Sequence, residues 1–532
     1  MNGIIHIHDE TYRSDRNGND LELLPGIVSV HPTWDIDRAG SKGQIDVVAE
    51  SGILEPNMWI TTYRTITPER GEIIRYQRGH WRLSSPGIVY DGAVHMDTGA
   101  SSQQQTAKGY DIIEDIAGAG LTETFYTPIA GNVMQDVSVA VQMATCGIMG
   151  PNLAGNSGFE SGTSGWSSWG SYALSVSTGT PSVWEPAEGA QSGSQMIPSA
   201  AALNVTGGFY RDIPIPAGAQ FMYLSALAGF SGDWYGVDPA IQIEWRTSSD
   251  EISRSYGTAI VNRTRWNRTF FVAAVPPGAV IARIACNYKK VVAAGGTQTQ
   301  LLWDDIRCGV CTMMPLPDSR IQLPNSTVPA TTRIQTMYDM SYGYDAINAD
   351  RLSAIGHYAL STTMAGELTT MPIRTLANTQ PRYTFHAGDR RLLAAPVEIP
   401  ALSGSIYNHF RAKKEDFGDG GGSMIAHAYN DNPNDPNSTV ITGRVLSAPV
   451  VVVQDAVSQD ALQAIAERER DRQSVRETIR LITLPLPDLT IYDVIRIDDP
   501  SMPKANGLWA MNSIDDTDIG MVITASRAIG GG

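Results

Sequence analysis

Cysteine is scarce in this chain, with four residues in 532: Cys146, Cys286, Cys308 and Cys311. Four thiols are too few for a disulfide framework in a chain of this length. Cys308 and Cys311 have the CxxC spacing of zinc and redox sites, but no second Cys/His pair stands at a useful distance. We therefore expect packed thiols at the end of a strand rather than a metal centre.

Long apolar runs and an N-terminal leader are also missing. No stretch of about 18 apolar residues occurs, so we expect no transmembrane segment. The first residues, MNGIIHIHDETYRSDRNG, lack the basic and apolar regions of a secretory signal, which predicts assembly in a cytoplasm. The net charge of −16 disfavours sequence-specific nucleic-acid binding, because phosphate binding needs a basic surface.

The motifs of common enzymes are missing as well. The chain has no Gly-x-Ser-x-Gly and no His-Glu-x-x-His, and Gly420–Gly422 lacks the lysine of a phosphate-binding loop. His6 and His8 share one face of a strand, and an exposed strand explains them better than a metal does. Carboxylate pairs that are close only in sequence do not make a glycosidase cleft. We expect no catalytic residues and no enzymatic activity.

What the chain has in quantity is glycine and proline, 51 and 30 residues, beside only 18% charged residues. This composition is typical of β-rich, turn-rich proteins. Short alternating segments bounded by Gly and Pro recur through residues 1–92 at the spacing of sandwiches and barrels. Two longer helices are expected, Val133–Ala144 and one that is capped by Ser458 and ends at Ile479. We predict a mainly β fold with some α+β.

The stretch Pro151–Gly170 marks the start of a separate unit. Its turn-forming residues leave Phe159 as a short buried anchor. Asn152-Leu153, Asn156–Glu160 and Gly165-Trp166 resemble the opening of a carbohydrate-binding-module family, and Leu301–Ile306 supplies the matching close. The resemblance implies that residues 152–312 form a jelly-roll β-sandwich inserted into the chain.

Aromatic residues of the insert are the best candidates for sugar contacts, because sugar C–H faces stack on flat rings. Trp166, Trp245 and Trp266 are expected in the core. Loop aromatics can either stack on sugar or pack down onto the sandwich, and polar side chains near them can bond hydroxyls. The carbohydrate-binding candidates are Trp169, Trp184, Trp234, Tyr235, Asp233, Glu185 and Gln242. Relatives of this module often hold a structural calcium; by position its ligands here are Glu160 and Asp305, which otherwise only cap turns.

Four segments outside the insert occur in a fixed order: Gly109–Ile113, Tyr407-Asn408, Ala426–Ser438 and Leu484–Ile497. This order resembles the tail-hub (late-control-type) baseplate proteins of tailed phages, although that family usually has Pro-Gly where this chain has Ile491-Tyr492. The resemblance implies the following divisions: a hub β-barrel domain (1–92), the first part of a hub α+β domain (93–151), the inserted jelly roll (152–312), a hub continuation and connector (313–402), the second part of the α+β domain (403–480) and a C-terminal β-meander that completes the barrel (481–532).

Together the two resemblances predict a structural protein of the phage tail tip. It would form a trimer with itself, close the end of the tail tube, contact other tail proteins and hold host cell-surface glycan through the insert. DNA would only pass through its lumen. The alternatives are a modular glycan hydrolase with an internal binding module, and an adhesin without a hub role. The sequence does not identify the glycan, the host or the ring symmetry.

Overall fold

The computed structural model of the chain describes residues 5–36, 43–68, 72–94, 101–117, 126–128, 133–159, 161–169, 174–177, 195–198, 206–231, 236–257, 267–290, 300–324, 337–339, 347, 352–373, 376, 379–389, 391–392, 405–414, 423–453, 456, 458–474, 476–517 and 520–528. The fold is mainly β with some α, as the sequence predicts.

The first part of the chain is a run of strands followed by two helices. Its elements are β1 Ile5–Ser14, β2 Asp20–Leu23, β3 Ile27–Asp35, β4 Gly43–Glu50, β5 Trp59–Pro68, β6 Ile74–Leu83, β7 Gly87–Val94, β8 Ser101–Tyr110, α1 Ile113–Ala117, β9 Tyr126–Pro128 and α2 Val133–Thr145. Helix α2 confirms the periodicity that predicted Val133–Ala144, since Val137, Ala140 and Val141 are all buried.

Ten further strands build the inserted sandwich. They are β10 Ser167–Trp169, β11 Leu174–Ser177, β12 Gln195–Pro198, β13 Thr206–Pro214, β14 Phe221–Ser231, β15 Gly236–Arg246, β16 Glu251–Tyr256, β17 Asn267–Ala274, β18 Ile281–Lys290 and β19 Gln300–Cys311. They form two five-stranded sheets. We name β10-β13-β18-β15-β16 the front sheet and β11-β12-β19-β14-β17 the back sheet.

The remaining elements return to the first part of the chain. They are a 3₁₀ turn at Asp318–Arg320, β20 Met337–Asp339, a 3₁₀ turn at Ser353–Ile355, β21 Ser361–Thr362, β22 Leu368–Thr369, β23 Tyr383–His386, β24 His409–Lys414, β25 Met424–Tyr429, α3 Thr439–Thr442, β26 Val451–Val452, α4 Gln459–Gln473, β27 Arg476–Thr483, β28 Val494–Asp498, β29 Gly507–Thr517 and β30 Gly520–Ala528. None of the described helices is long and apolar enough to cross a membrane.

Strands from both ends of the chain share one sheet, which we name the frame sheet. Its order runs β2-β1-β5-β6-β8-β4-β3-β29-β28-β23, with β30 and β27 continuing from β29 and β7 paired to β8. Strand β29 joins the two halves, because Asp515 pairs with Thr33 of β3. Trp34 and Trp81 from the first half share a core with Trp509 from the second half.

A buried ionic cluster also ties the two halves of the frame sheet together. The guanidinium groups of Arg64 and Arg78 are fully buried and contact Asp9 on β1 and Asp516 on β29 at 2.5–2.7 Å. Further N–H groups of both arginines donate to the Thr517 and Asp516 carbonyls at 2.7 Å. Buried charges are stable only when they are paired and hydrogen-bonded, and here they are.

Helix α4 ends earlier than the sequence predicts. Ser458 caps it as expected, with Oγ accepting from Ala461 N at 3.1 Å. The helix stops at Gln473 rather than Ile479, because Ser474 adopts an extended conformation and β27 begins at Arg476. Ile479 still lies in a core, but as part of a strand that pairs with β30.

The insert begins with a tight turn around Asn156. The Asn156 side chain donates to the Gly162 and Ser164 carbonyls at 2.9 and 3.0 Å, and its backbone carbonyl accepts from Trp166 Nε1 at 3.2 Å. Phe159 is fully buried, with its ring 5.5 Å from that of Trp166. The predicted anchor and the predicted core role of Trp166 are confirmed.

The back sheet of the insert packs against helix α2. Tyr223, Phe270 and Val272, from β14 and β17, belong to the same hydrophobic core as Val137 and Val141 of α2. The chain enters and leaves the insert side by side, since Gly150 N donates to the Val310 carbonyl at 2.8 Å. Because a sandwich has two outer faces, docking through the back sheet leaves the outer face of the front sheet directed away from α2.

Candidate functional site

The outer face of the front sheet carries a row of aromatic and amide side chains. The strand registers place Ser167 opposite Tyr210, Tyr210 opposite Ala285, Ala285 opposite Gln242 and Gln242 opposite Tyr256. Side chains at directly opposed positions point to the same side of a sheet. Tyr210 and Tyr256 therefore stand on either side of the small Ala285 and of Gln242, and form a shallow platform with a ring on each flank.

The next row contains Trp169, Gly208 and Asn287. A Cβ on Gly208 would stand 2.7 Å from Trp169 Nε1, 3.0 Å from Asn287 Oδ1 and 2.4 Å from the Cys286 carbonyl. Glycine at this position is therefore a steric requirement, because any side chain would displace the indole or the strand. The indole of Trp169 and the amide of Asn287 meet above Gly208.

The opposite end of the face carries charged side chains that are paired with one another. Arg283 donates to both oxygens of Asp212 at 2.7 and 2.9 Å, and its guanidinium lies 4.2 Å from the centre of the Tyr210 ring. Hydrogen bonds from Arg283 hold the pKa of Asp212 below its usual range. Glu244 lies between Arg246 and Arg254 and contacts both. Since each charge has an opposite partner, the face as a whole attracts neither strong anions nor strong cations.

Two amide side chains on this face have no protein partner. Gln242 is only 6% exposed, and no hydrogen bond joins its side chain to another described residue. Asn287 Oδ1 is also buried without a hydrogen-bond partner. A buried oxygen without a hydrogen-bond partner, such as Asn287 Oδ1, costs about 1–3 kcal/mol.

This combination defines what the front face can do chemically. Flat rings accept the C–H faces of a pyranose, while amide groups donate to and accept from hydroxyls in one plane. Rings with a few oriented polar groups among them are the composition of a candidate ligand-binding surface. We name Trp169, Tyr210, Gln242, Tyr256 and Asn287 the front-face cluster.

The structure unites some of the predicted site residues and separates others. Trp169 and Gln242 lie together on the front face. Trp245 is buried in the sandwich core, as predicted. The positions that fall outside the described residues are Glu160, Trp184, Glu185, Asp233, Trp234, Tyr235 and Trp266.

Sequence reasoning missed Tyr210, Tyr256 and Asn287. Strand alternation contained the signal for each of them. Phe209 faces the core, so Tyr210 faces outward, and the buried Cys286 implies the same for Asn287. Nothing in the sequence showed that these three residues lie on neighbouring strands of one sheet.

Asp305 lies on the other side of the insert, in the back sheet. Its carboxylate contacts Arg268 at 2.5 Å and Arg307 at 2.7 Å. Burial raises the pKa of Asp305, but the two guanidinium charges and their hydrogen bonds outweigh burial and lower it. A calcium ligand needs oxygen atoms that face an open site, and both oxygens here face cations. Asp305 therefore does not fit a calcium ligand and instead joins β19 to β17, while Glu160, the other predicted ligand, lies outside the described residues.

The CxxC pair is packed near the end of a strand, as the sequence predicts. Cys308 and Cys311 are buried near the end of β19, and both are free thiols. Across the described ranges, no group of three or more His, Cys, Asp or Glu side chains is arranged to hold a metal ion.

The fold and the front face define a mainly β chain that carries a two-sheet sandwich, whose outer front face is lined by aromatic and amide side chains. No family model matches the chain, and no curated protein matches it.

Solved structures show local similarity to this chain. The enzymatically active domain of bacteriophage CBA120 tailspike protein 4 is 16% identical, with a TM-score of 0.24 over 30% of this chain; the match spans only 21% of the tailspike domain. The xylan-binding domain CBM22-2 of Paenibacillus barcinonensis Xyn10C is 14% identical, with a TM-score of 0.22 over 29% of this chain and 96% of its own. TmCBM61, solved with β-1,4-galactotriose, is 14% identical, with a TM-score of 0.23 over 30% of this chain and 99% of its own.

Proposed function

We propose that this chain is a non-enzymatic structural component of a phage tail tip that attaches to host cell-surface glycan through the front-face cluster. The observation that carries the glycan part is the pair of partnerless amides, Gln242 and Asn287, set among three aromatic side chains. A polyhydroxylated ligand satisfies both amides and covers the rings at the same time.

Each element of the cluster has a separate task in this proposal. Tyr256, which is 63% exposed, and Trp169 stack on the C–H faces of the sugar rings. Gln242 and Asn287 orient the ligand through its hydroxyls, which sets the specificity. Because the charges at the other end of the face are paired, a neutral polysaccharide fits better than a strongly acidic one.

The tail role rests on the order of segments in the frame and on the way the insert is mounted. A rigid frame, with a sandwich docked on α2 through its back sheet, presents the front face outward. We propose a trimer at the tail tip, in contact with neighbouring tail proteins. Three copies would strengthen weak single-site binding by about 10²-fold or more through avidity.

A binding assay on the full chain tests the glycan part. The purified protein would be passed over a glycan array that carries neutral and acidic polysaccharide fragments. We expect retention on neutral fragments, competed by the soluble fragment. No retention on any fragment by a folded protein would overturn it. Release of reducing sugar would instead favour the hydrolase alternative.

Immunogold labelling of intact phage particles tests the tail part. Label at the tail tip supports the proposal, and label confined to the capsid or absent from particles contradicts it.

A further inference from the structure

The chain enters and leaves the insert through two segments that lie side by side, residues 146–150 and 310–314, which we name the neck. Met313 N in the exit segment donates to the Cys146 carbonyl in the entry segment at 3.2 Å. An isolated antiparallel β-bridge also joins Cys311 to the entry segment. Backbone contacts therefore hold Cys146, which directly follows α2, close to Cys311, the last residue of β19.

The thiols of Cys146 and Cys311 contact each other in the neck. Both belong to the hydrophobic core that α2 shares with the back sheet, and the two residues are 0% and 5% exposed. The hydrogen bond with the Cys311 side chain is the largest cause that raises the pKa of the Cys146 thiol, ahead of burial. Two sulfur atoms that are already in contact need only a small further approach to reach the length of a disulfide bond, about 2.0 Å.

Cys308 cannot take the place of Cys146, although it has the CxxC spacing to Cys311. Residues three apart on a strand are separated by about 10 Å and point to opposite faces of the sheet, which is too far for a disulfide bond. Cys308 lies in the core between the two sheets of the sandwich, whereas Cys311 lies in the core shared with α2. The structure therefore separates the CxxC pair and gives Cys311 a different partner.

An arginine stands beside the Cys146 thiol. Arg16 Nη1 donates to the Met314 carbonyl in the neck at 3.1 Å, and Arg16 Nε lies 3.6 Å from a carboxylate oxygen of Asp115. The positive charge of Arg16 favours the thiolate of Cys146, although the contact with Cys311 and burial outweigh it and raise the pKa. Because the thiolate is the attacking species in disulfide exchange, Arg16 assists a step in which Cys146 is the nucleophile.

We propose that Cys146 and Cys311 form a disulfide bond that closes the neck in an oxidising environment. The co-reactant is a small-molecule disulfide. The thiolate of Cys311, the more exposed residue, attacks one sulfur of that disulfide and releases one small thiol. The thiolate of Cys146 then attacks the Cys311 sulfur of the mixed disulfide, and the second small thiol leaves. Two electrons pass from the cysteines to the small disulfide, and the two cysteine protons end on the released thiols.

The bond would close residues 146–311 into one covalent loop. The base of the insert would then stay joined to the end of α2 even when the sandwich unfolds, and the closed loop would restrict the unfolded chain. In a reducing cytoplasm both thiols stay free. The inference is independent of glycan binding and of the tail role.

Thiol counting on the full chain tests the bond. The reduced protein would be incubated with oxidised glutathione at several urea concentrations below its unfolding transition, so that local opening of the neck gives access to the buried thiols. Ellman's reagent, added after complete unfolding, should then count two thiols instead of the four of the reduced chain. Protease digestion without reductant, followed by mass spectrometry, should give one linked peptide pair that contains Cys146 and Cys311.

Single variants separate this bond from the other cysteines. Oxidised wild type should have a higher urea midpoint than reduced wild type, and Cys146→Ala should abolish the difference. Cys308→Ala is the matched control, because it removes another buried thiol of β19, and it should keep the difference. Each variant is compared with its own reduced form, so a general loss of stability does not affect the result.

Three results would overturn the proposal. The first is a count of four thiols after every incubation. The second is a linked peptide pair that contains Cys286 or Cys308 in place of Cys146. The third is an oxidised protein that carries the expected bond but unfolds at the same urea concentration as its reduced form.

Discussion

Arg268 holds the carboxylate of Asp305 at 2.5 Å, in a position where a calcium ion was expected. Both side chains are almost fully buried, and Arg307 contacts the second carboxylate oxygen at 2.7 Å. The charges that keep β19 and β17 together are therefore supplied by the protein itself.

Removing the charge of Asp305 should destabilise the insert. We expect Asp305→Asn to cost about 3 kcal/mol in the free energy of unfolding, because it leaves Arg268 buried without its counter-charge. Urea unfolding measures this. Calcium or EDTA should leave the urea midpoint of the wild type unchanged. A midpoint that depends on calcium would contradict the role of Asp305 as the partner of Arg268 rather than of a metal ion.

The same carboxylate predicts a dependence on pH. Its pKa in the folded state lies below the ordinary 3.8 of an aspartate. A depressed pKa contributes stability that is fully present above 3.8 and is lost as the pH falls through the folded value. The wild type should therefore lose stability more steeply below pH 3.8 than Asp305→Asn does. Equal slopes in the two proteins would contradict this prediction.

Gln242→Leu should weaken glycan binding and leave the stability of the fold nearly unchanged. Leucine fills a similar volume, and the change breaks no hydrogen bond to another described residue, so we expect the free energy of unfolding to change by less than about 1.5 kcal/mol. The same change deletes the hydrogen bonds that orient the sugar, so we expect about tenfold weaker binding. Thermal unfolding and glycan titration on one sample would measure both effects. A variant that loses stability and keeps its affinity would show that Gln242 has only a structural role.

Truncating an exposed ring should also weaken glycan binding while it leaves the stability of the fold nearly unchanged. Tyr256→Ala removes a side chain that is 63% exposed, so stability should hardly change, while affinity should fall about fivefold or more through lost stacking. Tyr429→Ala is the matched control, because Tyr429 is 45% exposed on the frame. Equal affinity for both variants would exclude Tyr256 from the binding face.

The isolated insert should need polar substitutions on the outer face of its back sheet to remain monomeric. Phe270 and Val272 are 3% and 7% exposed and share a hydrophobic core with residues of α2 and of other segments outside the insert. We expect residues 151–312 to fold but self-associate, and the Phe270→Gln, Val272→Thr double variant to be monomeric in light scattering. A monomeric unmodified segment would show that α2 contributes little to that surface.

The four cysteine thiols should not react with thiol reagents while the chain is folded. Burial raises the pKa of the Cys286 and Cys308 thiols well above the ordinary value, so little thiolate forms near neutral pH. Ellman's reagent at pH 8 should detect no thiol before unfolding and all four afterwards. Rapid reaction of the native protein would reopen a redox role for the CxxC pair.

Local pattern predicted much of the fold, and long-range pairing accounts for what it missed. The buried positions of Trp166 and Trp245 follow from neighbouring turns and from strand alternation. The predicted end of α4 was wrong because Ile479 continues the helical spacing of apolar residues. The pairing with β30 that competes with the helix involves residues far along the chain. The same limit applies to the site. Tyr210 and Tyr256 lie on one face because β18 and β15 stand between their strands in the front sheet, and no local sequence signal predicts that strand order.

The pairing of β3 with β29 has a consequence for biosynthesis. Thr33 leaves the ribosome early, but its partner Asp515 is among the last residues made. The frame sheet therefore stays incomplete until translation is almost finished, whereas the sandwich has all its strands once Cys311 has emerged. Since domains fold as units during synthesis, the insert should fold on the nascent chain first, before the strands of the frame sheet can pair.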